Sequence, residues 1–385
     1  MTPKASSLRT IARLRHFCWR PRPKGALHLI IAALLLSGVS LPAVVAADAG
    51  TPPFWGVALH GDPITGPMLD AVERETGLQP QMVVFFRQWP SPGNMKENDF
   101  PLESLNSIWG RGSVPCLTWE PMYYEGERET MIPHQDILSG RYDDYIRAFA
   151  RRAKAWGKPL LMRWGHEMNL SRYHWGTDSG AYGPESPDLY KRMFRHIVSL
   201  FRAEGAINVL WAFCPNSESV PNLSYDATAG WNRISAYYPG DSWVDVLGLD
   251  GYDWGESRTM EKDGWRSHRR SFKQIFEPAY RELSALAKQK PLVIFETAGV
   301  DQGEKRAVWL KEAFVLAGTW RISGIVWFQA KKECDWRFEA ERDRDAVDAI
   351  RRAVSAGRHW VENLARPGGT GGPARADAPV EIKAP

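Results

Sequence analysis

Glu167 and Glu296 are the two residues whose placement most directly suggests chemistry. Each lies at or just beyond a short apolar run, Pro159–Trp164 for the first and Leu292–Phe295 for the second. Two carboxyl groups held on rigid backbone suit cleavage of a glycosidic bond. One must stay protonated to give its proton to the leaving oxygen, and the other must be ionised to attack the anomeric carbon. Closeness itself creates that asymmetry, because neighbouring like charges raise the pKa of one partner. A lone glutamate at a strand end reads as an ion pair with a neighbour such as Arg87 or Arg163. Two at matched strand ends, beside His166, Asn169, Tyr252 and Trp327, point instead to catalysis.

The elements that must position these groups are legible as alternation. Eight short apolar runs read as strands: 54–59, 82–86, 114–119, 159–164, 209–213, 244–249, 292–295 and 322–328. Their nearly continuous apolar content is that of parallel strands buried on both faces. Helical periodicity lies between them, as at Ile146, Phe149, Ala150 and Ala153, and over about 67–76, 272–289, 304–317 and 343–364. The expected fold is α/β, a single-domain (β/α)8 TIM barrel, with function at the carboxyl ends of its strands. Just past the eight runs stand His60, Arg87-Gln88-Trp89, Trp119-Glu120-Pro121, His166-Glu167-Met168-Asn169, Pro215-Asn216, Asp250 to Trp254, Glu296-Thr297 and Trp327-Phe328-Gln329. Eighteen tryptophans fit either a groove for a flat ligand or a large aromatic core. Trp119, Trp175, Trp254 and Trp336 are the candidate platforms.

Residues 1–46 combine a basic start, an apolar run and a small-residue end at Val44-Val45-Ala46, the pattern of a secretory signal peptide. That implies a secreted or periplasmic protein with no membrane association after cleavage. The segment holds seven basic residues and no acid. Subtracting those seven from the chain's net +4 leaves −3, so the basic balance gives no reason to expect nucleic-acid binding. Residues 47–365 form the expected catalytic domain, and the Gly- and Pro-rich stretch 366–385 reads as a disordered tail. Cys116, Cys214 and Cys334 allow one disulfide at most. His166-Glu167 lacks the second histidine a zinc protease needs, since position 170 is Leu. Asp250 and Asp253 are too few to argue for a cation.

The segment Arg163-Trp164-Gly165-His166-Glu167-Met168-Asn169, with Trp175-Gly176, Gly248-Leu249-Asp250-Gly251-Tyr252, Phe295-Glu296-Thr297 and Val326-Trp327-Phe328, resembles glycoside hydrolase family 26. That family holds mainly endo-β-1,4-mannanases with some mixed-linkage β-glucanases. The resemblance implies Glu167 as acid/base and Glu296 as nucleophile. It implies His166 lining the −1 sugar site, Asn169 as a supporting residue, Tyr252 bonded to the nucleophile and Trp327 as the platform under the −1 sugar. Where the family usually has a tryptophan against the +1 sugar, this chain has Arg172. An arginine there suits a decorated or acidic exopolysaccharide, or else pairs on the surface with Glu185 or Asp178.

The expected activity is retaining, mannan-type endo-β-glycan hydrolysis by a monomer needing no cofactor or metal, with a β-linked polysaccharide or oligosaccharide as its partner. The segment Pro115 to Pro121 is similar to that of glucan-acting members, which keeps a mixed-linkage or exopolysaccharide β-glucanase open. A carbohydrate-binding barrel without turnover is the alternative outside enzymes.

Overall fold

The structure, a computed structural model, describes residues 52–95, 100–300, 305–339 and 341–354. The expected leader over 1–46, the tail over 366–385 and the last part of the helix expected over 343–364 lie outside the described residues. Eight strands appear where the apolar runs placed them: β1 (Phe54–Ala58), β2 (Met82–Gln88), β3 (Val114–Glu120), β4 (Leu160–Trp164), β5 (Val209–Phe213), β6 (Val246–Asp253), β7 (Leu292–Gly299) and β8 (Ile322–Phe328). They close into a barrel in which every neighbouring pair is parallel, β8 returning to β1. β1, β4 and β5 are buried at every residue, which is why they read as unbroken apolar runs.

Among the described residues, seven helices of nine residues or more wrap the barrel: α1 (Gly66–Thr76), α2 (Leu102–Gly110), α3 (Asp143–Trp156), α4 (Ser186–Ala203), α5 (Phe272–Leu286), α6 (Lys305–Trp320) and α7 (Arg344–Ala353). α3 buries Tyr145, Ile146, Phe149, Ala150 and Ala153 along one face and ends at Gly157, whose φ of 70° closes the last turn. α5 opens with a capping box in which Ser271 and Gln274 satisfy each other's backbone N–H groups. Between β5 and β6 the described residues hold only short 3-10 turns, at Ala229–Trp231 and Ile234–Tyr237. No described helix is long and apolar enough to cross a membrane.

Two differences from the expected elements matter for the site. β6 and β7 run past their apolar segments, because Asp250, Gly251, Tyr252 and Asp253 stay in register with Glu296, Thr297, Ala298 and Gly299. The polar ends of these strands are therefore ladder, not loop. After β3 the chain also forms a hairpin, Met122–Glu125 paired with Arg128–Met131, that hydropathy did not reveal.

Three tryptophans expected in the cleft belong to the core. Trp327 is 0% exposed. Its ring lies against Trp55, Phe338 and Trp309 of α6, and its indole N–H donates to the Trp336 carbonyl at 2.9 Å. Successive strand residues face opposite ways, so Trp327 turns outward while Phe328 turns inward to meet Phe86 and Tyr252. Trp119 likewise points out of the barrel, into Phe149 of α3 and Phe201 of α4. Trp336 is buried behind Tyr252 and Trp254. The three cysteines are free thiols, so the one permitted disulfide does not form among them. Trp327→Ala should cost about 3–5 kcal/mol of stability in urea unfolding, while the milder Trp327→Phe should leave KM for a soluble glycan unchanged.

Candidate active site

The carboxyl end of the barrel is organised by Arg163, the fourth residue of β4. It points inward, is 0% exposed, and spends its guanidinium on three oxygen-bearing partners, with Cys214 Sγ 3.9 Å from Nη1. Nη1 donates to Asp250 Oδ2 at 2.7 Å, Nε and Nη2 donate to Thr118 Oγ1 at 2.9 and 2.6 Å, and Nη2 also pairs with Glu296 Oε1. A buried charge needs this degree of pairing to be tolerable. Asp250, considered above as a cation ligand, is therefore occupied by Arg163. Asp253 instead receives the Gly255 and Arg270 backbone N–H groups and faces Arg269 at 3.3 Å.

Glu296 sits in β7 with both oxygens held. Arg163 takes Oε1, and the Tyr252 hydroxyl donates to Oε2 at 2.6 Å. Charge-assisted bonds of this kind are directional and fix where the carboxylate points. The ion pair that sequence weighed against catalysis thus exists, and it leaves the carboxylate at the barrel mouth. Burial, with the Glu296 charge next, pushes the Tyr252 phenol well above its ordinary range, so it remains a donor.

Glu167 is held differently. Its backbone adopts φ 51°, a left-handed conformation costly for a residue with a side chain, and its N–H donates to the Cys214 carbonyl at 2.8 Å. Its side chain has one neutral partner, Asn216 Nδ2, donating to Oε1 at 2.6 Å. Burial, reinforced by the charge of Glu296, raises its pKa to about 7. The two carboxyl groups thus sit in different surroundings, one between a cation and a phenol and the other beside a neutral amide.

Asn169 supports Glu167 at one remove. Its side chain accepts from the Asn216 backbone N–H at 2.8 Å and donates to the Asn216 carbonyl at 2.9 Å. Asn232 donates to the Asn169 carbonyl, and its own side-chain oxygen accepts from the Tyr182 and Tyr237 hydroxyls. His166 is buried under Phe86 and beside Tyr173, and burial with the Arg163 charge pushes its pKa well below the usual histidine range. Its Nδ1 has no hydrogen-bond partner among the described residues.

The remaining candidates divide. Trp254 is half-buried at the mouth, packed on Trp336 and Trp265 with Arg258 4.7 Å over its ring. Trp175 is buried and does not face the cleft as a platform. It stacks beneath Tyr173 at 5.0 Å and bonds the His166 carbonyl at 2.6 Å. Arg172 pairs with neither Glu185 nor Asp178. Both its terminal nitrogens grip Glu129 of the hairpin, at 2.6 and 2.8 Å, while the guanidinium rests 4.9 Å over Tyr173. Residue spacing had no means of bringing the hairpin to Arg172.

Sequence reasoning did not single out Asn216, Tyr173, the Gln88–Glu120 pair (2.5 Å) or Trp265, which is 45% exposed beside Trp254. For the first and third the signal was present, since all three residues lie at or just past strand ends.

A parallel eight-stranded barrel with an asymmetric carboxyl pair at its mouth defines the class. Residues 134–277 match the family model described as Glycosyl hydrolase family 26. The chain is 34% identical over 254 residues to Endoglucanase H of Acetivibrio thermocellus, covering 66% of this chain and 25% of that protein. It is 36% identical over 143 residues to a mannan endo-1,4-beta-mannosidase of Bifidobacterium adolescentis, covering 33% of this chain and 13% of the relative. The matches therefore span a quarter or less of these two relatives' own length. Among solved structures, the catalytic domain of a Bacillus sp. JAMB-750 endo-beta-1,4-mannanase superimposes with a TM-score of 0.59 at 17% identity, over 84% of this chain and 92% of that one. The chain belongs to glycosyl hydrolase family 26.

Two outcomes follow from the carboxyl environments. Removing the Asn216 donor takes away a bond that favours ionised Glu167, so Asn216→Ala should shift the alkaline limb of the kcat/KM profile to higher pH. A folded pKa raised from 4.5 to about 7 means the native state holds the proton longer than the unfolded chain. Stability is then lost as pH rises through that window. Glu167→Gln should accordingly gain thermal stability over the parent at pH 8 and little at pH 4.

Proposed function

We propose that this chain is a retaining endo-β-glycanase that cleaves a β-1,4-linked polysaccharide backbone by double displacement. The observation that carries the reading is the unequal treatment of the two carboxyl groups. Glu296 is held in place between Arg163 and Tyr252, while burial keeps Glu167 protonated up to about pH 7. Glu296 attacks the anomeric carbon as Glu167 protonates the leaving oxygen. Glu167, now ionised, then takes a proton from the water that releases the glycosyl-enzyme. The step is balanced by the two carboxyl groups of this chain.

A glucan backbone, mixed-linkage or uniform, is the substrate we favour. The stretch similar to an endoglucanase covers 66% of this chain, twice the 33% similar to the mannosidase. A mannan-type backbone is the second reading, supported by that mannosidase match and by its expectation from sequence. The half-buried Trp254 and exposed Trp265 offer ring faces against which the apolar face of a pyranose would pack. The basic and apolar amino-terminal segment supports export, which matches a polymeric substrate outside the cell.

The direct test is product analysis with mixed-linkage β-glucan, galactomannan, glucomannan and cellulose. Release of oligosaccharides from the first with retained anomeric configuration is the expected result, and release from galactomannan alone would select the second reading. Glu167→Ala should slow polysaccharide hydrolysis far more than hydrolysis of an activated aryl glycoside, whose leaving group needs little protonation. Equal losses on both would remove Glu167 from the acid role.

A further inference from the structure

The mouth holds a third carboxyl group that double displacement does not use. Glu120 ends β3, where alternation turns Thr118 inward to Arg163 and Trp119 outward to α3 and α4, so Glu120 turns back toward the barrel mouth. It is only 4% exposed. Its register partner at the end of β2, Gln88, donates from Nε2 to Oε2 at 2.5 Å. Oε1 accepts no hydrogen bond from any described residue, and no described cation comes within ion-pair distance of the group.

Oε1 of Glu120 is not sealed in the protein wall, so it opens to the mouth as a free acceptor. Burial pushes its pKa to about 7, with the charge of Glu296 adding to the rise and the Gln88 bond, Arg163 and Lys332 opposing it. Its charge is also felt by Tyr124 of the hairpin and by Arg172 and Tyr173 of the loop after β4. Glu120 therefore lies on the same side of the mouth as those groups, within electrostatic range of the nucleophile.

We propose that Glu120, oriented by Gln88, is a substrate-binding residue that accepts a hydrogen bond from a pyranose hydroxyl on the β2–β3 side of the cleft and so helps select the sugar. This rests on the reading of the cleft as a β-glycan site. Gln88 fixes one oxygen, which leaves the lone pairs of the other in place before substrate arrives. A site that buries an acceptor for a particular hydroxyl discriminates strongly against sugars that do not present it, because the acceptor would then stay unpaired.

The experiment compares the full chain with Glu120→Ala and the isosteric Glu120→Gln, on the polysaccharide that the parent cleaves best. Affinity of each for mixed-linkage and manno-oligosaccharides is measured by calorimetry in a Glu296→Ala background. Glu120→Ala should raise KM and weaken oligosaccharide binding by about tenfold or more, with a smaller change in kcat. Glu120→Gln, which keeps an acceptor oxygen, should fall between it and the parent. A purely structural role would lower the melting temperature and leave KM and affinity unaltered, and that result would overturn the proposal while leaving the glycanase reading intact. A parent that binds oligosaccharides through Glu120 without turnover would overturn the glycanase reading alone. A parent that neither cleaves nor binds any of these glycans would overturn both.

Discussion

A single buried cation, Arg163, is the constraint to which the working end of this barrel is tied. It brings together Thr118 from β3, Asp250 from β6 and Glu296 from β7, so strands distant in the chain share one charge centre. Desolvating a guanidinium is expensive, and only a full set of partners compensates it. The consequence reaches past stability. With Asp250 fully buried and spent on Arg163, the exposed edge of that charge centre is Glu296, whose other oxygen is taken by Tyr252. The position of that carboxylate is thereby built into the packing of the barrel.

Glu167 is given far fewer partners. No cation pairs with it among the described residues, its side-chain partner is the neutral amide of Asn216, and its surroundings exclude water. The left-handed backbone at Glu167 and the chain of asparagines from 232 through 169 to 216 fix where the group points, and the Asn216 bond only partly offsets the effect of burial. Two residues of the same type therefore acquire different chemistry from different neighbours, which is the arrangement that acid and nucleophile roles on one sugar require.

How far the sequence could be read depended on what kind of signal each feature left. All eight strands could be located, because a strand buried on both faces leaves an apolar run whatever its neighbours do. The same property hid the direction of each side chain. In a run such as Ile325-Val326-Trp327-Phe328 both faces are apolar, so nothing told Trp327 in the wall from Phe328 in the mouth, and Trp119 was misplaced for the same reason. The hairpin 122–131 and its grip on Arg172 left no local signal at all, since the pair joins loops that follow different strands.

The order and type of residues determined the alternation of strand and helix, the closed parallel barrel and the short stretches past the strand ends where chemistry had to lie. Those features follow from local periodicity and from the need to bury apolar faces, both of which are written along the chain. Only the tertiary structure decided which carboxyl group would meet a cation, which aromatic rings would face the mouth and which polar residues would be left with an open acceptor. These depend on distance and solvent access between segments remote in sequence, and burial acts on a group only once the fold has chosen its neighbours.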